Sequence, residues 1–259
     1  MSTINHKKRI RTFVSFGLVA IVIVNKEPLF LLIQRAETIP YILFMTNQIN
    51  KIRSNHEQVL ESMTAREKQK LLSYVPKQPE TRLWCNIQKY KHCIEKNTDI
   101  ELDWSFQKGR KSKDKNEPEL DVAVREFQEE TIFSKNDIHH IFDKRVYTYS
   151  VIGSDECEYK YYLYPCIINL TNRLDLVKII YDYTMEQKGI VKNVKIVLPH
   201  KTQETSHVGF FGINAIMKEK GMNKELLRFL WNNYSSFASL ILRADTISSS
   251  PFMASINFS

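Results

Sequence analysis

The sequence predicts an α/β protein, and three observations carry that reading. Two β-rich apolar runs, residues 12–24 and 29–35, flank a polar turn near the N-terminus. Between 46 and 97 the β-branched runs vanish and helix formers take over. From 117 onward come an acidic amphipathic helix, aromatic-rich strands and a long apolar helix.

Composition bounds the rest. A chain of 259 residues holds one large domain, or one domain with an insertion. Hydrophobic content of 43% and charged content of 25% support an ordinary core. Seven glycines exclude collagen-like and glycine-linker classes. The net charge of +8 fits either a solvated lysine-rich surface or a polyanionic partner. The cations cluster: Lys7, Lys8, Arg9 and Arg11 in one group, Lys108, Arg110, Lys111, Lys113 and Lys115 in another. The four cysteines, at 85, 93, 157 and 166, form no CxxC pair and match no zinc spacing. Free thiols in a reducing, cytoplasmic setting are expected.

Taken in order, KKRIR followed by FVSFGLVAIVIV has the look of a signal peptide. The apolar run is too short to span a bilayer, and a polar turn (Asn25-Lys26-Glu27-Pro28) and LFLLIQR follow it instead of a cleavage site. Two core strands and no membrane partner are expected. In SNHEQVLESMTAREKQKLLSYV, Val59, Met63, Leu71, Leu72 and Val75 fall at helical spacing, and Thr64 with Glu67 forms a capping box. Pro76 and Pro79 end this helix, and TRLWCNIQKYKHCIEK forms another. Residues 46–97 thus read as a helical insertion. WSF at 104–106 is a short strand and QKGRKSKDKNEP a charged loop around Gly109. A helix should begin after Asn116, with Glu119 as its capping partner, and run to about Thr131. Strands near 145–152 and 159–170, a helix near 174–186, a strand near 193–198 and a helix over 223–242 complete the pattern. The tail, 246–259, is expected to be flexible.

Residues 125–131, REFQEET, pose the chemical question. Leu120, Ala123, Val124 and Phe127 form one apolar stripe, and Glu126, Glu129 and Glu130 a second beside it. Like charges at this spacing weaken a helix by a few tenths of a kcal/mol per pair, roughly. A bare ExxEE is often only a solvated face. Here a basic, glycine-bearing loop leads into it, and Arg125 stands four residues before Glu129. Carboxylates beside phosphate-binding cations make sense where a hard divalent cation sits among them.

The stretch from Gly109 to Phe133 resembles the Nudix box, G-x5-E-x7-R-E-U-x-E-E-x-G-U. Gly109, Glu117, Arg125, Glu126, Phe127, Glu129, Glu130 and Phe133 match. Two departures are visible: RKSKDKN is two residues longer than the usual spacer, and Ile132 replaces the second glycine. WSFQKGR resembles the WxFPKGK/R lead-in of Nudix enzymes acting on mRNA caps or diphosphoinositol polyphosphates, with Gln107 in place of proline. The helical insertion, REFQEET and CEYKYYLYP are similar to the Nudix decapping enzymes of large cytoplasmic DNA viruses, the asfarvirus and mimivirus type.

The resemblance implies a Nudix α/β/α sandwich with a mixed sheet and an inserted helical subdomain: core 1–45 and 98–245, insertion 46–97. It implies Mg²⁺ or Mn²⁺ held by the Gly109 carbonyl, Glu126, Glu129 and Glu130. Glu126 would bind metal or act as base, Arg125 would hold the carboxylates with Glu117 as partner, and Lys108, Arg110 and Lys111 would meet phosphate or RNA. Asp155 and Glu158 are candidates for a supplementary metal or base group, because many family members place a further carboxylate on a later loop. Trp84 and Tyr41 are candidates for cap stacking. The implied reaction is hydrolysis of a diphosphate linkage, with mRNA decapping to 7-methyl-GDP and 5′-monophosphate RNA as the leading expectation. A diphosphoinositol polyphosphate or dinucleoside polyphosphate hydrolase is the alternative, and a catalytically inactive RNA-binding module a second.

Overall fold

The computed structural model describes residues 11–49, 56–76, 78, 81–97, 100–112, 116–153, 157–247 and 255–256, with the backbone alone for 241–247 and 255–256. β1 (Thr12–Val24) and β2 (Glu27–Arg35) form an antiparallel hairpin. The turn is only Asn25 and Lys26, both left-handed at φ 47° and 63°, so β2 starts two residues earlier than the sequence suggests. Two consecutive positive-φ residues match the right-handed twist of the strands they join.

β1 runs parallel to β7 (Glu158–Ile168) on its other side. β5 (Ile138–Ile141) and β6 (Tyr147–Ile152) share the far edge of β7. Beyond β2 lie β9 (Thr205–Phe211) and β8 (Lys195–Pro199). The result is one mixed sheet. β1 alternates between two cores, and that explains its unbroken apolar run. Leu18, Ala20 and Val22 face α6 (Glu119–Glu130) and α7 (Leu174–Glu186) through Val122, Ala123, Phe127 and Ile180. Val19 and Ile21 face α8 (Ile213–Lys218) and α9 (Lys224–Ile247) through Ile216, Phe229, Leu230 and Phe237. The molecule is therefore α/β, with helices on both faces of a mixed sheet.

β1 and β2 pair only from Ile21 to Val24 and from Glu27 to Phe30. They then diverge. β3 (Trp104–Ser105) fills the gap on the β2 side, opposite Ile33 and Gln34, and β4 (Lys108–Gly109) fills it on the β1 side, opposite Phe16 and Gly17. Residues 104–109 are thus a wedge in a split sheet, with polar backbone at its centre.

Between β2 and β3 lie α1 (Ile39–Met45), α2 (His56–Glu61), α3 (Ala65–Leu72), α4 (Arg82–Lys89) and α5 (Lys91–Ile94). They enclose their own cluster, including Phe44, Leu60, Met63, Leu71 and Cys93. The Thr64–Glu67 capping box forms, and Glu67 also accepts from the Thr38 N–H at 2.5 Å and the Thr38 hydroxyl at 2.9 Å. One carboxylate thereby caps α1 and α3 together.

Three expectations are corrected. Asn116 does not cap α6: Pro118 holds that position without a side-chain bond, and Glu119 instead faces Tyr164 and Lys111. β5, β9 and α8 arise where no regular element was expected. Within the expected tail, α9 continues to Ile247, and Ser255–Ile256 form β10, which runs parallel to the end of β1. The other tail residues lie outside the described set. Among the described residues no helix is long and apolar enough to cross a membrane.

Candidate active site

α6 packs on β1 beside β4, so the helix delivers its acidic edge to the wedge. Arg125 organises that edge. Its Nε donates to Glu117 Oε1 at 3.1 Å, and its Nη2 donates to Glu117 Oε2 at 3.4 Å and to the Arg110 carbonyl at 3.1 Å. Its Nη1 donates to Glu126 Oε1 at 2.6 Å and Glu129 Oε2 at 3.0 Å. One guanidinium fork therefore ties the loop, the start of the helix and two of the three acidic side chains into one unit. Glu117 reaches Arg125 despite the longer spacer that precedes it.

Glu130 points the other way. It is buried and accepts from the Lys108 N–H at 3.0 Å. Gly109 has a steric reason to be glycine: a Cβ there would overlap the Glu126 carboxylate. The close approach sets that carboxylate against the β4 backbone. At the helix end, Thr131 does the work of the missing glycine. Its backbone is extended (φ −123°, ψ 172°), and its hydroxyl donates to the Phe127 carbonyl at 2.6 Å while accepting from the Phe133 N–H at 3.2 Å.

Burial and crowding disfavour the charged form of two of these carboxylates. Burial pushes the Glu130 carboxyl well above the ordinary range, the Lys108 cation opposes this, and Glu126 and Glu204 add to it. Burial also raises Glu126, against Arg125, with Glu129 and Glu204 reinforcing the rise. Lys108 is lowered by burial and by Arg35. A small cleft opens here between Ile33, Arg35, Ser105, Phe106, Lys108, Glu130 and Glu204.

Glu204 is a cleft residue that the sequence reading missed. It sits in the loop joining β8 to β9. Its carbonyl accepts from the Ala36 N–H at 2.8 Å, and the Ser206 hydroxyl donates to the Arg35 carbonyl at 2.8 Å, so the loop is tied to the end of β2. Recognising TSHVGFF as a strand would have placed an acidic loop at this end of the sheet. The later-loop candidates fare differently. Asp155 lies outside the described residues, as do Lys113 and Lys115. Glu158 opens β7 opposite Thr12, whose hydroxyl donates to it at 2.9 Å. Gly109 pairs with Phe16, four residues further along β1, or about 13 Å of strand. Glu158 is therefore not brought to the cluster.

The remaining cations line an aromatic ladder. Arg110 and Arg11 lie over the Phe13 ring at 4.5 and 4.7 Å, Lys111 over Phe16 at 5.3 Å and Lys160 over Tyr162 at 5.3 Å. Phe13 stacks on Tyr159, and Phe16 on Tyr162. Lys108 Nζ bonds the Phe106 carbonyl at 3.2 Å and lies over Tyr161. Tyr41, a stacking candidate, is instead core of the helical segment, and Trp84 is half-buried on α4.

The donors fit a hard divalent cation. They are all oxygen, two are desolvated, and their mutual repulsion is what a cation would remove. Gly109 keeps the backbone close to Glu126, which a side chain there would displace. In the observed arrangement Glu126 and Glu129 are turned onto Arg125, and no three carboxylate oxygens of α6 converge within 4.8 Å. The Glu129 side chain is 58% exposed, so its release from Arg125 costs little.

No family model and no curated protein matches the sequence. Among solved structures, a C. elegans Ap4A hydrolase binary complex aligns at 14% identity over 87% of this chain and 97% of that one, with a TM-score of 0.41. A second C. elegans Ap4A hydrolase structure aligns at 17% identity over 69% and 91%, with a TM-score of 0.28. Neither likeness is close enough to assign the site, which rests on the geometry above.

Proposed function

We propose that the chain is a metal-dependent pyrophosphohydrolase of the Nudix type, acting on a diphosphate bridge that carries a nucleotide. The supporting observation is the Arg125 fork, which gathers Glu117, Glu126 and Glu129 beside Gly109 while Glu130 lies against Lys108 in the neighbouring cleft. A protein that only bound polyanions would gain nothing from three crowded carboxylates. Glu126, Glu129, Glu130 and the Gly109 carbonyl would hold Mg²⁺ or Mn²⁺. When bound, the ion neutralises phosphate oxygens and lowers the pKa of a coordinated water.

The chain's own groups supply the rest. Arg35 and Lys108 offer positive charge to the bridging phosphates from the cleft wall, and Arg110 from its rim. Arg125 keeps the carboxylates in register. Glu204, unencumbered on its loop across the cleft, is the group to accept the proton of the attacking water.

A dinucleoside polyphosphate is the first reading: its phosphate bridge would meet Lys108 and Arg35 at the cleft, and its bases have cation–aromatic pairs beside it to stack on. Capped RNA is the second reading. Its support is the +8 charge, the cation–aromatic ladder along β1 and β7, and a helical segment with its own core that offers surface to an RNA body.

The test offers purified protein a dinucleoside tetraphosphate, free cap analogue, cap-labelled RNA and a diphosphoinositol polyphosphate, each with Mg²⁺ and with Mn²⁺. Cleavage of at least one, dependent on metal, is expected. Glu130→Gln should lower kcat by about 10²–10³-fold, the scale of losing one preorganised electrostatic partner, while the far-ultraviolet circular dichroism stays unchanged. Glu204→Gln should lower kcat by about 10²-fold or more, the scale of losing a general base. A near-normal rate in Glu130→Gln removes this site from the reaction, and no hydrolysis of any of the four removes the enzyme reading and leaves the binding module.

A further inference from the structure

We propose a second metal site, for a zinc-like cation, built from Glu57 Oε1, His92 Nε2 and Cys93 Sγ in the helical segment. Among the described residues this is the one trio of His, Cys, Asp or Glu whose ligand atoms all lie within 4.8 Å of one another. His92 Nε2 is 3.1 Å from Cys93 Sγ and 3.3 Å from Glu57 Oε1. Zinc bonds of about 2.0–2.3 Å in a tetrahedron place neighbouring ligand atoms roughly 3.3–3.6 Å apart; the two edges through His92 stand near that spacing, and the third, from Glu57 to Cys93, lies within 4.8 Å.

The geometry argues against a cysteine nucleophile driven by His92. Such a relay uses both ring nitrogens, one toward sulfur and one toward the carboxylate. Here sulfur and carboxylate converge on the same nitrogen, and Cys93 is fully buried. A shared cation uses that convergence. The neighbouring lysines are engaged elsewhere: Lys68 Nζ donates to the Glu61 and Lys96 carbonyls at 3.2 and 3.0 Å, and Lys96 Nζ pairs with the Glu61 carboxylate. The donor set of thiolate, imidazole and carboxylate selects Zn²⁺ over Mg²⁺, the reverse of the all-oxygen cluster on α6.

Binding exchanges one proton for the metal. The Cys93 thiol gives its proton to solvent as the thiolate–metal bond forms, with His92 neutral and Glu57 ionised. Three protein ligands leave a fourth position for water. The ligands come from α2 and α5, so the ion would clip the first described turn after Ile49 to the last helix before β3.

The full chain, stripped with chelator, is titrated with Co²⁺ and separately with Zn²⁺. One equivalent of Co²⁺ should produce a near-ultraviolet sulfur-to-cobalt charge-transfer band, to which the carboxylates of α6 are blind. Zn²⁺ should displace it and raise the thermal midpoint. Cys93→Ser should abolish the band. His92→Gln and Glu57→Gln, both at exposed side chains that keep the fold, should weaken Co²⁺ on the order of tenfold or more. Glu130→Gln should leave the band unchanged, so the test stands apart from the proposed hydrolase. Absence of the band in the native chain, its persistence in Cys93→Ser, or unchanged affinity in His92→Gln overturns the site.

Discussion

At the scale of single residues, two groups beside the cleft are in environments that disfavour them. Gln107 is fully buried, and neither its amide nitrogen nor its carbonyl oxygen has a partner. An unsatisfied buried group costs about 1–3 kcal/mol. Gln107→Met keeps the volume and removes the debt, so it should stabilise the protein by that order in urea denaturation. An unchanged or lower midpoint would mean that the amide is satisfied in solution. Glu130 is the second case. Its folded pKa lies above its unfolded value, so the folded state binds the proton more tightly. That contribution is fully present below the unfolded glutamate value and is lost as pH rises through the raised folded one. A divalent cation binds the ionised form and reverses the loss. The rise in thermal midpoint caused by Mg²⁺ should therefore be small near about pH 5 and larger near about pH 8, with the difference gone in Glu130→Gln. An equal Mg²⁺ effect at both pH values would place the ion elsewhere.

At the scale of elements, legibility followed how local the encoding was. The capping box at Thr64 and Glu67 could be read because both partners lie within four residues. Its further role could not: Thr38 is 29 residues away, and only the fold shows Glu67 capping two helices. Glu67→Ala removes three bonds to a buried charged acceptor. The cost should be about 3 kcal/mol, more than the roughly 1 kcal/mol of an ordinary cap. A loss near 1 kcal/mol in urea denaturation would show that α1 and α3 are capped independently. The acidic edge of α6 was legible for the same local reason, down to Arg125 and its two neighbouring glutamates. β9 was not. TSHVGFF alternates poorly and carries Gly209, which makes sense only once the Phe211 and Trp104 rings are seen to crowd that position. Missing β9 hid the loop before it, and with the loop Glu204. The His92–Cys93 pair shows the same limit, since Glu57, which meets His92, comes from another helix.

At the scale of the whole molecule, the split between β1 and β2 unites the parts. It admits the 104–109 wedge, aligns α6 with the cleft and leaves the β1–β7 ladder running away from it. That ladder makes the substrate question electrostatic. A dinucleoside polyphosphate keeps its charge at the cleft and at Arg110 on its rim, whereas an RNA body would extend further, over Arg11, Lys111 and Lys160. Each phosphate neutralised on a single strand adds about 0.7 to the magnitude of the slope of log affinity against log salt. Three such contacts give a slope of about −2.1, or roughly a 20-fold loss between 50 and 200 mM salt beyond the loss for the small substrate. The kcat/KM for cap-labelled RNA should show that excess loss, and Arg11→Gln combined with Lys160→Gln should cut the excess slope by about two-thirds while leaving dinucleotide cleavage unchanged. If the two substrates lose rate in parallel as salt rises, no RNA body is held along the ladder, and the chain acts on the small substrate alone.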